Sequence, residues 1–198
     1  MKHFRELSLP FPLRDSAIPE LQAQKKFYTL VVNDNIQQYL NPKLMASFDI
    51  PIRSLVYFGS SKTTKFTTMF HTDVVNTSQG WRVDSCAINW DLTPSITQFE
   101  VYRNQSAPEF YPNSSPVINE LNAIHYYHRE NKDPRDCELL ETYTPKFQTA
   151  YLVNPGLPHR VTYQSQGIRH CVSIRFHLSD IPNWETALAK FSDRLLPS

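Results

Sequence analysis

Three residues in this sequence have the types and spacing of a metal site. His71 and Asp73 are separated by one residue, so their side chains point the same way from a β-strand. His159 follows much later, in a loop rich in proline and glycine. Two imidazole nitrogens and one carboxylate leave open coordination positions on an octahedral ion. We therefore predict His71, Asp73 and His159 as ligands of one metal ion.

The strand predicted after His159 presents a basic face. Alternation along residues 168–176 places Arg169, Ser173 and Arg175 on one face, opposite a face of apolar side chains. An arginine that faced a core without a partner would be costly to desolvate. The polar face is therefore predicted to line a pocket, where an anion meets Arg169 or Arg175.

Each of these residues also has an ordinary structural interpretation. His71 could be a surface histidine at a strand end, Asp73 could begin a turn, and the arginines could be solvated on an edge strand. A lone HxD tripeptide is weak evidence for a metal, but the joint occurrence of these residues favours one shared site. For His125 and His128, which are three residues apart, no third ligand is apparent, so a structural role is favoured.

The composition excludes several kinds of partner. The chain has 198 residues with 20 basic and 19 acidic side chains, and this balance offers no electrostatic footprint for nucleic acid or an anionic membrane. No apolar run approaches the roughly 20 residues of a membrane-spanning helix. The three cysteines lack CxxC spacing and are expected to be free thiols. We expect a soluble, cytoplasmic protein whose partner is a small molecule or a peptide, and no feature indicates an oligomeric state.

Short strands dominate the rest of the chain. The tripeptide at 93–95 predicts a hairpin turn. Pro42 weakens the middle of a helix predicted over 34–48, so two short helices are an alternative. Residues 1–25 are predicted as an irregular arm with a short helix after Pro19. The predicted strands cover 27–32, 52–57, 65–70, 83–92, 97–103, 139–143, 149–153 and 168–176, and an amphipathic helix covers 182–196. This pattern favours a mainly β fold, a sandwich or barrel with helical buttresses.

The metal and arginine motifs together resemble a known superfamily. The segments HTD (71–73), PHRV (158–161) and GIRHCVSIRF (167–176) are similar to the pattern of the Fe(II)/2-oxoglutarate-dependent dioxygenases, which is HxD, a distal histidine and a later arginine. The run NPGLPHRV also resembles the prolyl-hydroxylase and aspartyl/asparaginyl-hydroxylase branches. The resemblance covers residues 52–176 and implies a double-stranded β-helix, a cupin-like jelly roll.

The resemblance also implies the cofactors, Fe(II) and 2-oxoglutarate. The predicted triad would hold the iron, and Arg169 would hold the C5 carboxylate of 2-oxoglutarate, with Arg175 as an alternative ligand. Ser173 shares their face, and Tyr57 and Asn89 lie on strands that would line a jelly roll, so these three are further candidates for co-substrate binding.

The organisation implied is one domain over residues 1–198. An N-terminal arm and helical buttress (1–48) precede the core (52–176), which carries an insert (104–135) where a lid or substrate-binding loop is expected, and a C-terminal helix (182–196) follows. The implied activity is hydroxylation of an amino-acid side chain, free or in a peptide. Two alternatives are a non-catalytic jelly-roll binding or structural protein, and a cupin-type epimerase that uses a His/Tyr pair and no metal.

Overall fold

The structure is a computed structural model that describes residues 2–23, 28–32, 35–60, 66–67, 71–78, 80–94, 96–104, 123–127, 137–164 and 169–197. Its strands are β1 Phe4–Leu7, β2 Tyr28–Val32, β3 Ile52–Ser60, β4 Phe66–Thr67, β5 His71–Thr77, β6 Gly80–Val83, β7 Ala87–Asp91, β8 Ile96–Asn104, β9 Ala123–Tyr127, β10 Cys137–Tyr143, β11 Ala150–Val153, β12 His159–Gln164 and β13 Arg169–Phe176. Its helices are α1 Ala17–Ala23, α2 Ile36–Tyr39, α3 Pro42–Met45 and α4 Trp184–Lys190, followed by a 3-10 turn at Ser192–Arg194.

The strands form two antiparallel sheets that pack together. The first sheet has the order β1-β11-β7-β13-β3-β2, and the second has the order β10-β8-β12-β5-β6, with β4 also paired to β12 and β9 to β5. The chain crosses repeatedly between the sheets, as in the step from β11 to β12 and on to β13. This arrangement is a jelly-roll-like sandwich, so the predicted mainly β architecture is confirmed.

The hairpin predicted at 93–95 is wrong. Strand β7 pairs with β11 and β13 in the first sheet, whereas β8 pairs with β10 and β12 in the second. Both edges of β7 and both edges of β8 are therefore occupied by other strands, so β7 and β8 do not pair with each other. The short connection carries the chain from one sheet to the other, and the same turn residues serve either geometry.

The irregular arm predicted for residues 1–25 is also wrong in part. Strand β1 pairs antiparallel with β11, from Phe4 opposite Val153 to Leu7 opposite Ala150. The partner strand lies more than 140 positions away, so no local pattern could reveal it. The short helix is present, and Pro19 lies in its first turn, where a missing N–H is tolerated.

The two faces of β13 have different surroundings, as the alternation predicts. All eight of its residues are buried. Val172, Ile174 and Phe176 belong to a large apolar cluster that includes Trp184 of α4 and Leu21 of α1. The opposite face, which carries Arg169, Cys171, Ser173 and Arg175, is directed toward the second sheet, since both arginines contact residues of that sheet.

The helices are short. Pro42 begins α3 and separates it from α2, and the Asn41 side chain caps α3 by accepting a hydrogen bond of 2.9 Å from the Lys43 N–H. Among the described residues, no helix has the length and apolarity needed to cross a membrane. Most of the predicted 104–135 insert lies outside the described residues. Its described parts are Asn104, which ends β8, and strand β9, which pairs with β5.

Candidate metal centre

The two predicted histidine ligands begin neighbouring strands of the second sheet. His71 is the first residue of β5 and His159 is the first residue of β12, and the two are directly opposite each other in the antiparallel ladder. Their ring centroids lie 4.2 Å apart, with the planes inclined at 55°. Strand pairing therefore brings together two imidazoles that are separated by most of the core sequence.

Asp73 completes the group from the same strand as His71. One residue separates them, so their side chains share a face, and Asp73 Oδ1 lies 3.7 Å from His71 Nε2. One ligand atom from each of His71, Asp73 and His159 can be chosen so that all three lie within 4.8 Å of one another. All three residues are buried.

The loop before β12 orients the triad through its backbone. Nδ1 of His159 lies 2.9 Å from the carbonyl oxygen of Leu157, which can accept a hydrogen bond from Nδ1 only if Nδ1 is protonated. This contact assigns the other nitrogen, Nε2, as the lone-pair donor for a metal. Asp73 donates its backbone N–H to the carbonyl of Pro155 at 2.9 Å, so the same loop fixes both strands.

Aromatic packing holds the His159 ring from its other side. The ring of Phe99 stacks on it with a centroid distance of 5.7 Å and an interplanar angle of 16°. Phe99 in turn stacks on Tyr143 at 5.0 Å, and Tyr143 stacks on Phe4 of β1 at 3.7 Å. The imidazole therefore has little freedom to rotate, which is the condition for a preformed ligand.

The donor set fits a divalent transition metal. Metal–ligand bonds of about 2 Å place neighbouring ligand atoms roughly 3 Å apart, so the observed His71–Asp73 separation needs only a small closure. Two neutral nitrogens and one carboxylate oxygen suit Fe(II), Zn(II) and related ions, and three ligands leave positions open for exogenous molecules. The three residues therefore form a possible metal site, whose chemistry alone does not select the ion.

An ion-pair network that the sequence did not reveal supports Asp73. Its second oxygen, Oδ2, accepts a hydrogen bond of 2.6 Å from Arg175, whose guanidinium also contacts Asp84 at 3.3 Å. Asp84 is held by Arg53 at 2.6 Å. Burial opposes the charge of Arg175, but the carboxylates of Asp73 and Asp84 outweigh that cost and raise the pKa of the guanidinium.

Arg169 occupies a different part of the space between the sheets. Its Nε lies 3.3 Å from the hydroxyl oxygen of Thr97 in β8, and Nη2 donates to a carboxylate oxygen of Asp91 in β7. Arg169 and Asp91 are both buried. The two arginines of the predicted basic face thus have different carboxylate partners, and Arg175 contacts Asp73 of the triad.

Ser173 and Asn89 face the same inner space. Ser173 accepts a hydrogen bond of 2.9 Å from Nε of Arg175, and it lies directly opposite Asn89 in the ladder between β13 and β7. The side-chain oxygen of Asn89 is buried and has no hydrogen-bond partner among the described residues. Both residues therefore line the region predicted for the co-substrate.

Tyr57 faces the other way. It lies opposite Val172 in the ladder between β3 and β13, and it belongs to the apolar cluster under the helices. Its hydroxyl is hydrogen-bonded to Nδ1 of His170, and burial raises the pKa of Tyr57 while lowering that of His170. Tyr57 therefore lies on the opposite face of the first sheet from Ser173, and its part in co-substrate binding stays a prediction.

The remaining histidine pair lies partly outside the described residues. The backbone of His125 in β9 stands opposite Asp73 of β5, whereas His128 is not among the described residues. The side chain of His125 and the whole of His128 lie outside the described residues, so the structural role favoured for this pair stays a prediction.

Comparisons with known proteins add no assignment. No protein-family model matches the chain, and no curated protein sequence matches it. The geometry of the site and the motifs HTD, PHRV and GIRHCVSIRF are therefore the features that indicate its function.

Proposed function

We propose that the protein is an Fe(II)/2-oxoglutarate-dependent dioxygenase that hydroxylates an amino-acid side chain, free or within a peptide. The observation that carries this proposal is the position of His71, Asp73 and His159 at the starts of two neighbouring strands of a jelly roll. Arg169 extends into the same inter-sheet space from β13, as a cation for the far carboxylate of a keto acid.

The charge balance around the site supports this pair of cofactors. Among the described residues, the acidic side chains of the network are Asp73, Asp84 and Asp91, and their partners are three arginines, so the sum is zero. A divalent cation alone would leave two positive charges in a buried region. A dianionic co-substrate would restore neutrality, which favours binding of the two together.

Each residue has a defined part in the proposal. The triad would hold Fe(II), which supplies the oxidising chemistry as 2-oxoglutarate and O2 give succinate, CO2 and the hydroxylated product. The loop carbonyl of Leu157 fixes the His159 tautomer, and Arg175 holds the Asp73 carboxylate in one orientation. Arg169 would clamp the co-substrate in the water-poor space between the sheets.

The two alternatives remain outcomes of the same tests. A cupin-type epimerase needs a His/Tyr pair beside its substrate, but the pair formed by Tyr57 and His170 lies on the helix-covered face of the first sheet. A non-catalytic jelly-roll protein would take up neither Fe(II) nor 2-oxoglutarate.

The first test is an anaerobic titration of the purified protein with Fe(II) and 2-oxoglutarate. We expect the weak visible charge-transfer band of a keto acid chelated to iron, and we expect its loss in His71→Ala. Absence of the band in folded protein with confirmed metal loading would exclude the dioxygenase, and failure of the folded protein to take up Fe(II) at all would favour the non-catalytic jelly-roll protein.

Replacement of Arg169 tests its assignment to the co-substrate. Arg169→Ala should weaken 2-oxoglutarate binding by about 10-fold to 100-fold, the loss expected for a charge-assisted carboxylate contact, while metal affinity stays near that of the wild type. A variant that bound 2-oxoglutarate as tightly as the wild type would remove Arg169 from the co-substrate site.

A further inference from the structure

The arginine proposed to bind the co-substrate already has a buried carboxylate beside it. Asp91 precedes the crossing from β7 to β8, and it lies opposite Cys171, two positions along β13 from Arg169. Residues in this diagonal relationship are within reach of each other when one side chain is long. The contact between Nη2 of Arg169 and Oδ1 of Asp91 is therefore built into the register of the sheet.

Asp91 is held asymmetrically. Its Oδ1 accepts from Arg169, but its Oδ2 is buried and has no hydrogen-bond partner among the described residues. A carboxylate that engages a guanidinium through one oxygen forms a weaker contact than the two parallel hydrogen bonds of a bidentate pair. The one-oxygen contact with Asp91 is therefore weaker than the bidentate contact that a ligand carboxylate could form with Arg169.

We infer that Asp91 is an internal counter-ion that competes with the co-substrate for Arg169 and so sets the affinity for a dicarboxylate; this inference rests on the proposed function. An incoming C5 carboxylate must either displace Asp91 from Arg169 or lie next to it as a like charge. Both arrangements cost binding energy in a buried site. Asp91 is accordingly a specificity-determining residue, which lowers affinity for 2-oxoglutarate while keeping the buried arginine paired when the site is empty.

Competition by Asp91 and a purely structural role of Asp91 predict opposite effects on co-substrate binding when its charge is removed. If Asp91 only positioned Arg169, its loss would weaken co-substrate binding. If it competes, Asp91→Asn removes the charge at nearly constant shape, and 2-oxoglutarate should bind about tenfold or more tightly.

The experiment is an anaerobic calorimetric titration of the Fe(II)-loaded protein with two probes. The first is 2-oxoglutarate, and the second is pyruvate, which has the same keto-acid end but lacks the far carboxylate. Asp91→Asn should tighten 2-oxoglutarate and change pyruvate less than about twofold, since pyruvate does not reach Arg169. Glu138→Gln removes one carboxylate from an exposed position of β10 and should change neither affinity.

The outcomes separate this inference from the proposed function. Unchanged or weaker 2-oxoglutarate binding by folded Asp91→Asn, with binding intact in the wild type, would overturn the role of Asp91 alone. Failure of the wild type and Asp91→Asn to bind either probe would overturn the dioxygenase and this inference together. Asp91→Ser provides a second neutral variant, and failure of both variants to fold would overturn the inference, because Asp91 would then be required for the fold.

Discussion

The carboxylate of Asp73 divides its two oxygens between two partners. Oδ1 lies 3.7 Å from His71 Nε2, and Oδ2 accepts a hydrogen bond of 2.6 Å from Arg175. One oxygen is therefore directed to the potential metal position and the other is occupied. This arrangement favours coordination through a single oxygen, which keeps more positions open on the ion.

Replacement of Arg175 tests this support. Arg175→Lys keeps the positive charge but loses the planar fork that reaches Asp73, Asp84 and Ser173 together. We expect a loss of about 10-fold to 100-fold in affinity for Co(II) or Fe(II), as for other residues that orient metal ligands. The measurement is a Co(II) titration followed by its visible spectrum. Arg103→Lys at an exposed position is the control, and wild-type affinity in Arg175→Lys would contradict the expected role.

Replacement of the two predicted ligands on β5 should lower the stability of the protein by different amounts. His71→Ala and Asp73→Ala should both abolish metal binding. Asp73→Ala leaves the buried Arg175 with Asp84 as its remaining described carboxylate partner, so we expect it to lose more stability than His71→Ala, up to about 3–5 kcal/mol. Urea unfolding of the metal-free proteins measures the difference, and equal stabilities would show that the Asp73–Arg175 pair contributes little.

Gly156 should be required for the loop that orients the triad. A Cβ at this position would lie 2.5 Å from the carbonyl oxygen of Asp84, which is closer than a carbon and an oxygen can approach. We expect Gly156→Ala to lower stability by about 1–3 kcal/mol and to weaken metal binding, because either the loop or the Asp84 backbone must move.

A second glycine provides the matched control. Gly80 has a φ of +92°, and a Cβ there would meet nothing within 4 Å. Gly80→Ala should cost about 1–2 kcal/mol of stability through backbone strain, with metal affinity unchanged. If both variants lost metal affinity to the same extent, the effect would be general and not a property of the 154–158 loop.

Stability should fall in mild acid through His170. Burial lowers the pKa of this imidazole in the folded protein, so the unfolded chain binds the proton more readily. The contribution of the neutral, buried His170 to the free energy of unfolding is complete above the unfolded pKa of about 6.5. It is lost as the pH falls through that value toward the lower pKa in the folded protein. In metal-free protein, the stability advantage of the wild type over His170→Gln should shrink between about pH 7 and pH 5, measured by urea unfolding. If the stabilities of the wild type and His170→Gln changed in parallel with pH, His170 would be excluded as the source of the pH dependence.

Local patterns predicted the parts of the site that depend on one strand. The shared face of His71 and Asp73 follows from alternation, and so does the separation of Arg169 and Arg175 from the apolar face of β13. The meeting of His71 with His159 depends on pairing between distant strands. It is predicted from the residue types that a metal site requires, and the motif resemblance supports it, but the strand pattern alone does not predict it.

Tyr57 shows where alternation is insufficient. The strand β3 has large apolar residues on both faces, with Leu55 and Tyr57 on one and Val56 and Phe58 on the other. A strand that is covered on both sides does not reveal from its own sequence which face is the inner one. Asp84 and Arg53 escaped prediction for a related reason, since neither belongs to a motif and they meet only in the folded chain.

The position of Cys171 on the inner face makes it a natural reporter of motion. It lies between Arg169 and Ser173 on the strand, and burial raises the pKa of its thiol to about 12. A thiol that is both buried and protonated reacts with alkylating reagents only when the surrounding structure opens. The rate at which Cys171 is modified, compared with that of the less buried Cys137, therefore measures how often the two sheets part, and a ligand that fills the space between them should slow it.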